Sequence, residues 1–171
     1  PNFLAQVHTA HCPVRRVALG GAEGEADAAV ITRLNLDAHF AAGNLVQMSQ
    51  AAAQARSGVS ATQAVRHARQ CELTGDSVEG LNAAEWWRVA TLAGFATALP
   101  FAEAARLPLA VLPPNRVRLL NAVQGLQALV TELFAADGWS ARCRDLAQLL
   151  PEHTLRHDFI LSIRNYLSAR D

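Results

Sequence analysis

Val89 to Ala102 is the longest apolar stretch of the chain, fourteen residues with no charge, interrupted only by Thr, Gly and Pro. A membrane span needs about 18–20 apolar residues, so this run is too short to cross a bilayer and predicts a buried core helix. Just upstream, Asn82 and Glu85 stand at the spacing of a helix-capping pair, which places the start of that helix. Along it, Trp86, Trp87, Val89, Leu92, Phe95 and Leu99 fall on nearly every side. A helix apolar all round must be enclosed by other elements.

The remaining pattern supplies further helices. Ala29, Val30, Leu34 and Phe40 recur near a 3.6-residue spacing behind acidic Glu25 and Asp27, and Gly43 is a natural stop. Asn44 is placed to cap a second helix from Leu45 to about Arg56. Ser60-Ala61-Thr62-Gln63 has the form of a capping box and opens a third, to about Glu72. Pro100, Pro108, Pro113 and Pro114 confine residues 100–114 to short, interrupted structure. From Asn115 the stripe Val117, Leu120, Val123, Leu126, Leu129, Val130 and Leu133 predicts a long helix that Asp137-Gly138 ends. Ser140 caps a short helix to Leu150, and Leu155, Phe159, Ile163 and Tyr166 mark the last one. Residues 1–19 are ambiguous, with Val14–Leu19 as a short strand behind Pro13. The expected fold is all-α, a compact orthogonal bundle of six to seven helices with at most that one short strand. It is read as a single domain over residues 1–171, with a seam near 100–114.

Charge narrows the function classes. Lys+Arg and Asp+Glu are 15 each, and every cation is arginine, a composition like that of a GC-rich bacterial genome. Zero net charge removes any global attraction to nucleic acid or acidic lipid, so such binding would need a local patch. Cys12, Cys71 and Cys143 are odd in number and far apart, which points to reduced thiols. No basic region followed by an apolar core opens the chain, so the expected compartment is the cytoplasm, with no membrane partner.

One local patch exists. No acid occurs between Asp37 and Glu72, while Arg56, Arg66 and Arg69 lie inside that interval with Thr62, Gln63 and His67. Arg and Gln are residue types that read guanine and adenine edges. Two helices joined through a Gly-containing turn over Leu45–Glu72 have helix-turn-helix form, and Ser57-Gly58-Val59-Ser60-Ala61-Thr62-Gln63 resembles the turn of helix-turn-helix repressors. That resemblance implies a second helix able to enter a major groove. Gln54 stands where such turns carry a small residue, and Ala64 where they carry a larger aliphatic.

Other constellations are thinner. His153 and His157 lie at i, i+4, but opposite the Leu155–Phe159–Ile163 stripe, and a zinc site needs three or four ligands. His8, His11 and Cys12 form a second incomplete set. Pro1 would offer a secondary amine if it is the mature first residue. The sequence contains no GxGxxG behind a strand, no GxxxxGK[ST] and no HExxH, and calls for no cofactor. These features favour a non-enzymatic interaction or assembly protein, a homo-oligomer or the subunit of a complex, using apolar surface near Trp86, Trp87, Phe95 and Phe101. A transcriptional regulator gripping DNA through residues 45–72 is the alternative.

Overall fold

Val30-Ile31-Thr32 places three β-branched residues in a row, and the backbone there is extended, not helical. This computed structural model describes residues 2–135 and 137–168. Helix α1 (Asn2–Val7) leads to an isolated bridge, His11 to Ala18, in place of the expected Val14–Leu19 strand. Strand β1 (Ala29–Arg33) then pairs antiparallel with β2 (Leu45–Ser49), Ala29 opposite Ser49 and Arg33 opposite Leu45. The all-α expectation is therefore corrected: eight helices among the described residues accompany a two-stranded sheet.

Two expected helices give way to this hairpin. The first, after Glu25, becomes β1 and the 34–44 loop. The loop is tied internally: the Asn44 Nδ2 donates to Asn35 O and His39 O, and Asn44 Oδ1 accepts from the Asn35 N–H. The second, over Leu45–Arg56, splits at Ser49. That residue ends β2 and caps α2 (Gln50–Ala55), its Oγ accepting from the Ala52 N–H. Helix α2 packs on the hairpin from which it emerges.

The capped helices start as read. Ser60 and Gln63 form a reciprocal capping box at α3 (Ala61–Thr74), and Asn82 and Glu85 form one at α4 (Ala83–Phe95). These two helices make the largest helix–helix contact. Ala61, Ala64, Ala68 and Cys71 form the buried face of α3, and their small size lets α4 approach closely. On α4 every residue from Val89 to Phe95 is buried, as an all-round apolar helix requires. Asn121 caps the far end: its Nδ2 donates to Gly94 O and Thr97 O, and its Oδ1 accepts from the Leu99 N–H.

Helix α5 (Phe101–Arg106) follows Pro100. Just after it the chain meets α4, where the Leu107 side chain occupies the space that a Cβ at Gly94 would take. The long helix expected from Asn115 begins only at Ala122, as α6 (Ala122–Ala135). Backbone donors in between are taken elsewhere: Arg118 N donates to Gly43 O and Leu120 N to Phe95 O. Arg116 also stands at φ 65°, outside the helical region.

The chain divides into two compact units, Pro1–Leu126 and Gln127–Asp171. In the second, α7 (Trp139–Ala147) packs with α8 (His153–Ser168), burying Cys143 and Ala147. Gly138, not Ser140, occupies the N-cap of α7. Among the described residues no helix is long and apolar enough to cross a membrane.

Candidate functional site

Residues 61, 65, 69 and 72 lie at i, i+4, i+8 and i+11, so they form one stripe along α3, next to the face buried on α4. That stripe is the wall of a furrow in the first unit. Its centre is a groove of about 230 Å³ lined by Ala61, Thr62, Val65 and Arg69 of α3, Trp87 of α4, and Leu99, Glu103, Arg106 and Leu107. At one end it shares Ala61, Thr62 and Leu99 with a cavity of about 300 Å³ under the 34–37 loop. At the other it shares Trp87 with a depression bounded by Glu72, Ala84, Arg88, Pro108 and Ala110. Eleven helical steps take the stripe from Ala61 to Glu72, so it runs for about 16 Å along the furrow.

The furrow's charges are committed unevenly. The Trp87 indole N–H donates to Glu72 Oε1 at 2.6 Å, which fixes the ring and occupies that carboxylate. Arg88 Nη1 donates to Val14 O at 2.7 Å. Burial, then nearby Arg16, lowers the Arg88 pKa, against an opposing pull from Glu85 and Cys12. Arg69 and Arg106 reach the central groove from different helices, and neither guanidinium makes a hydrogen bond or ion pair among the described residues. Glu103 is likewise unpaired there. The central groove therefore carries two cations and one anion over a floor of Ala61, Val65, Trp87, Leu99 and Leu107.

The residues singled out from sequence scatter. Thr62, Gln63, Arg66 and Arg69 are exposed on α3, although Gln63 Oε1 already accepts from the Ser60 N–H. His67 is half-buried with its ring 4.7 Å from that of Trp86. Arg56 lies in the interior, 1% exposed, and cannot reach DNA. Its Nη2 donates to Leu34 O at 2.6 Å, while its Nε and Nη1 have no partner. Burial lowers its pKa to about 10.

Of the four aromatics expected at an interface, Trp86 and Phe95 are fully buried and offer no surface. The Trp86 indole N–H is satisfied by Val78 O. Trp87 is half-buried in the furrow, and Phe101 is 75% exposed on α5. Helix-turn-helix packing is not formed in this unit, because the main support of α2 is the hairpin and that of α3 is α4.

His153 and His157 are exposed on α8, with His157 Nδ1 3.7 Å from Asp158 Oδ1. Cys12 is buried, its sulfur accepting from the Arg15 N–H and the Ser49 hydroxyl, whereas His8 and His11 are exposed. Pro1 lies outside the described residues. Sequence reasoning missed Val65, Leu99, Glu103, Arg106 and Leu107 as groove residues. The one available signal was the short Pro-bounded stretch 100–108, which folds the chain back across α4.

Comparison of the chain with protein families, curated proteins and solved structures finds no match.

Proposed function

We propose that this chain is a non-enzymatic interaction protein that docks a segment of a protein partner in the furrow beside α3. The observation that carries this reading is the central groove: an apolar floor around a half-buried tryptophan, rimmed by unpaired charge. Trp and Arg are the residue types most enriched among interface hot spots. Its volume of about 230 Å³ suits a few side chains. The large apolar side chains Leu73 and Phe101 stand exposed on α3 and α5, the helices that wall it.

A displayed random-peptide library tests this reading. The full chain is expected to retain peptides that the Val65→Arg variant releases, because the longer charged side chain fills the groove. Val65 is half-buried against the core, so the variant is expected to lose about 1 kcal/mol, and a single cooperative thermal melt establishes that it is folded. Peptides held equally by both proteins, or no retained peptides, would contradict it.

One observation favours a second reading, in which duplex DNA lies across the outer face of α3. Thr62, Gln63, Arg66, Arg69 and Gln70 are all exposed on that helix, with no acid before Glu72. Two arginines neutralising two phosphates give a logarithmic salt slope of about −1.8. Anisotropy of a labelled duplex titrated between 50 and 200 mM salt (concentrations of about the range where such effects are large) reads that slope. Negligible binding at the lower concentration removes this reading.

A further inference from the structure

The charge left over in the groove says what its occupant carries. Four of the charged side chains along the furrow's rim fall into two groups. Glu72 and Arg88 are hydrogen-bonded to neutral partners, the Trp87 indole and Val14 O, and their opposite charges offset each other. Arg69 and Arg106 have no such partner among the described residues, and Glu103 beside them offsets only one of the two. Both arginines border the apolar floor, so a bound apolar side chain lies within reach of an excess positive charge. An uncompensated guanidinium loses hydration when an interface closes over it and gains most from a carboxylate, which matches its fork of donors.

The furrow's length sets the form of the occupant. About 16 Å along α3 corresponds to about five residues of extended chain at 3.3 Å each. The central groove and the depression at Ala84 and Pro108 share Trp87.

Resting on the docking function proposed above, we infer that the occupant is an extended segment of a partner protein bearing one carboxylate next to an apolar side chain. The apolar side chain sits on Val65, Trp87 and Leu99, and the carboxylate lies between Arg69 and Arg106. Asp37 borders the cavity under the 34–37 loop and Glu103 borders the central groove. Those carboxylates disfavour further acids, so the segment is not a run of acidic residues.

The same peptide library, read by sequence, separates this inference from the reading beneath it. Peptides released by Val65→Arg are expected to share one Asp or Glu beside a Leu, Ile, Phe or Trp. Reversing Arg69→Glu or Arg106→Glu should weaken the best such peptide by about tenfold each, the worth of one charge-assisted hydrogen bond. The same selection on the doubly reversed protein should turn the shared residue to Lys or Arg. Groove-dependent peptides with no shared acid, and unmoved by either reversal, would overturn the inference and leave the docking function standing. Absence of any groove-dependent peptide would overturn both. Both arginines are exposed on their helices, and matching thermal melts confirm that the reversed proteins are folded.

Discussion

Trp86→Ala is expected to remove about 3–5 kcal/mol of stability, the cost of emptying a large aromatic site in a packed core. Trp86 is fully buried and heads the set of large enclosed side chains. Its ring lies against His67 of α3, and its indole N–H satisfies Val78 O in the turn between α3 and α4. Deletion therefore opens a cavity at the largest helix–helix contact, while Val78 O keeps the hydrogen bond it accepts from the Leu81 N–H. Domains of this kind have about 5–15 kcal/mol in total, so the loss is a large fraction of the whole. Urea unfolding reads it as a drop in midpoint at unchanged slope. A loss under about 1 kcal/mol would contradict a core centred on the α3–α4 pair.

Arg56→Met is expected to act in the opposite direction and stabilise the chain. The Arg56 guanidinium is interior, has no carboxylate beside it, and leaves Nε and Nη1 without partners. Desolvation lowers its pKa from the ordinary arginine range to about 10. At about 1.4 kcal/mol per tenfold change in proton affinity, holding the charge in place costs on the order of 3 kcal/mol. Methionine keeps much of the volume and loses the bond to Leu34 O, which offsets about 1 kcal/mol. The net expectation is a gain of about 1–3 kcal/mol at neutral pH.

The pH dependence has a definite sign. Above pH 10, up to the ordinary arginine range, the unfolded chain binds a proton at this group that the folded chain has released. Stability of the parent therefore rises with pH across that window, and the full penalty stands below pH 10. The gap between variant and parent should narrow above pH 10. Lysine, which would titrate there, is absent from the chain. A variant less stable than the parent at neutral pH would show that the guanidinium is compensated in the fold.

The same residue shows why part of this fold was hidden in the sequence. The starts of α3 and α4 were legible because Ser60–Gln63 and Asn82–Glu85 satisfy their own helix ends locally. The hairpin was not. All five residues of β2 are buried, so the alternation that betrays a half-exposed strand is missing. In front of it, Ala29, Val30 and Leu34 imitate a helical spacing across a strand and a loop. Arg56 and Asn44 hold the 34–44 loop through side-chain to backbone bonds, which follow no period. The start of α6 was misplaced because Leu120 and Arg118 lend their backbone donors to Phe95 and Gly43, distant in sequence.

The candidate site was legible only in pieces. Trp87 and Arg69 stood out separately, one as an aromatic and one within an acid-free interval. What joins them is tertiary: Leu107 packs against α4 at Gly94, and Arg106 and Glu103 of the preceding helix line the same groove as the stripe on α3. Trp86 and Trp87 differ in role for the same reason. Adjacent side chains diverge by about 100° on a helix, so α3 covers the first while the second borders the groove.

The most direct measurement is a two-dimensional amide spectrum of the 18.3 kDa chain titrated with the tightest library peptide. The chain has three tryptophans, at 86, 87 and 139, so each indole N–H can be followed by itself. The account predicts that the Trp87 indole signal moves with the amides of Thr62, Val65, Arg69, Leu99 and Arg106, while the Trp86 indole stays in place. Shifts confined to residues outside the furrow, with the Trp87 indole unmoved at saturation, would contradict it.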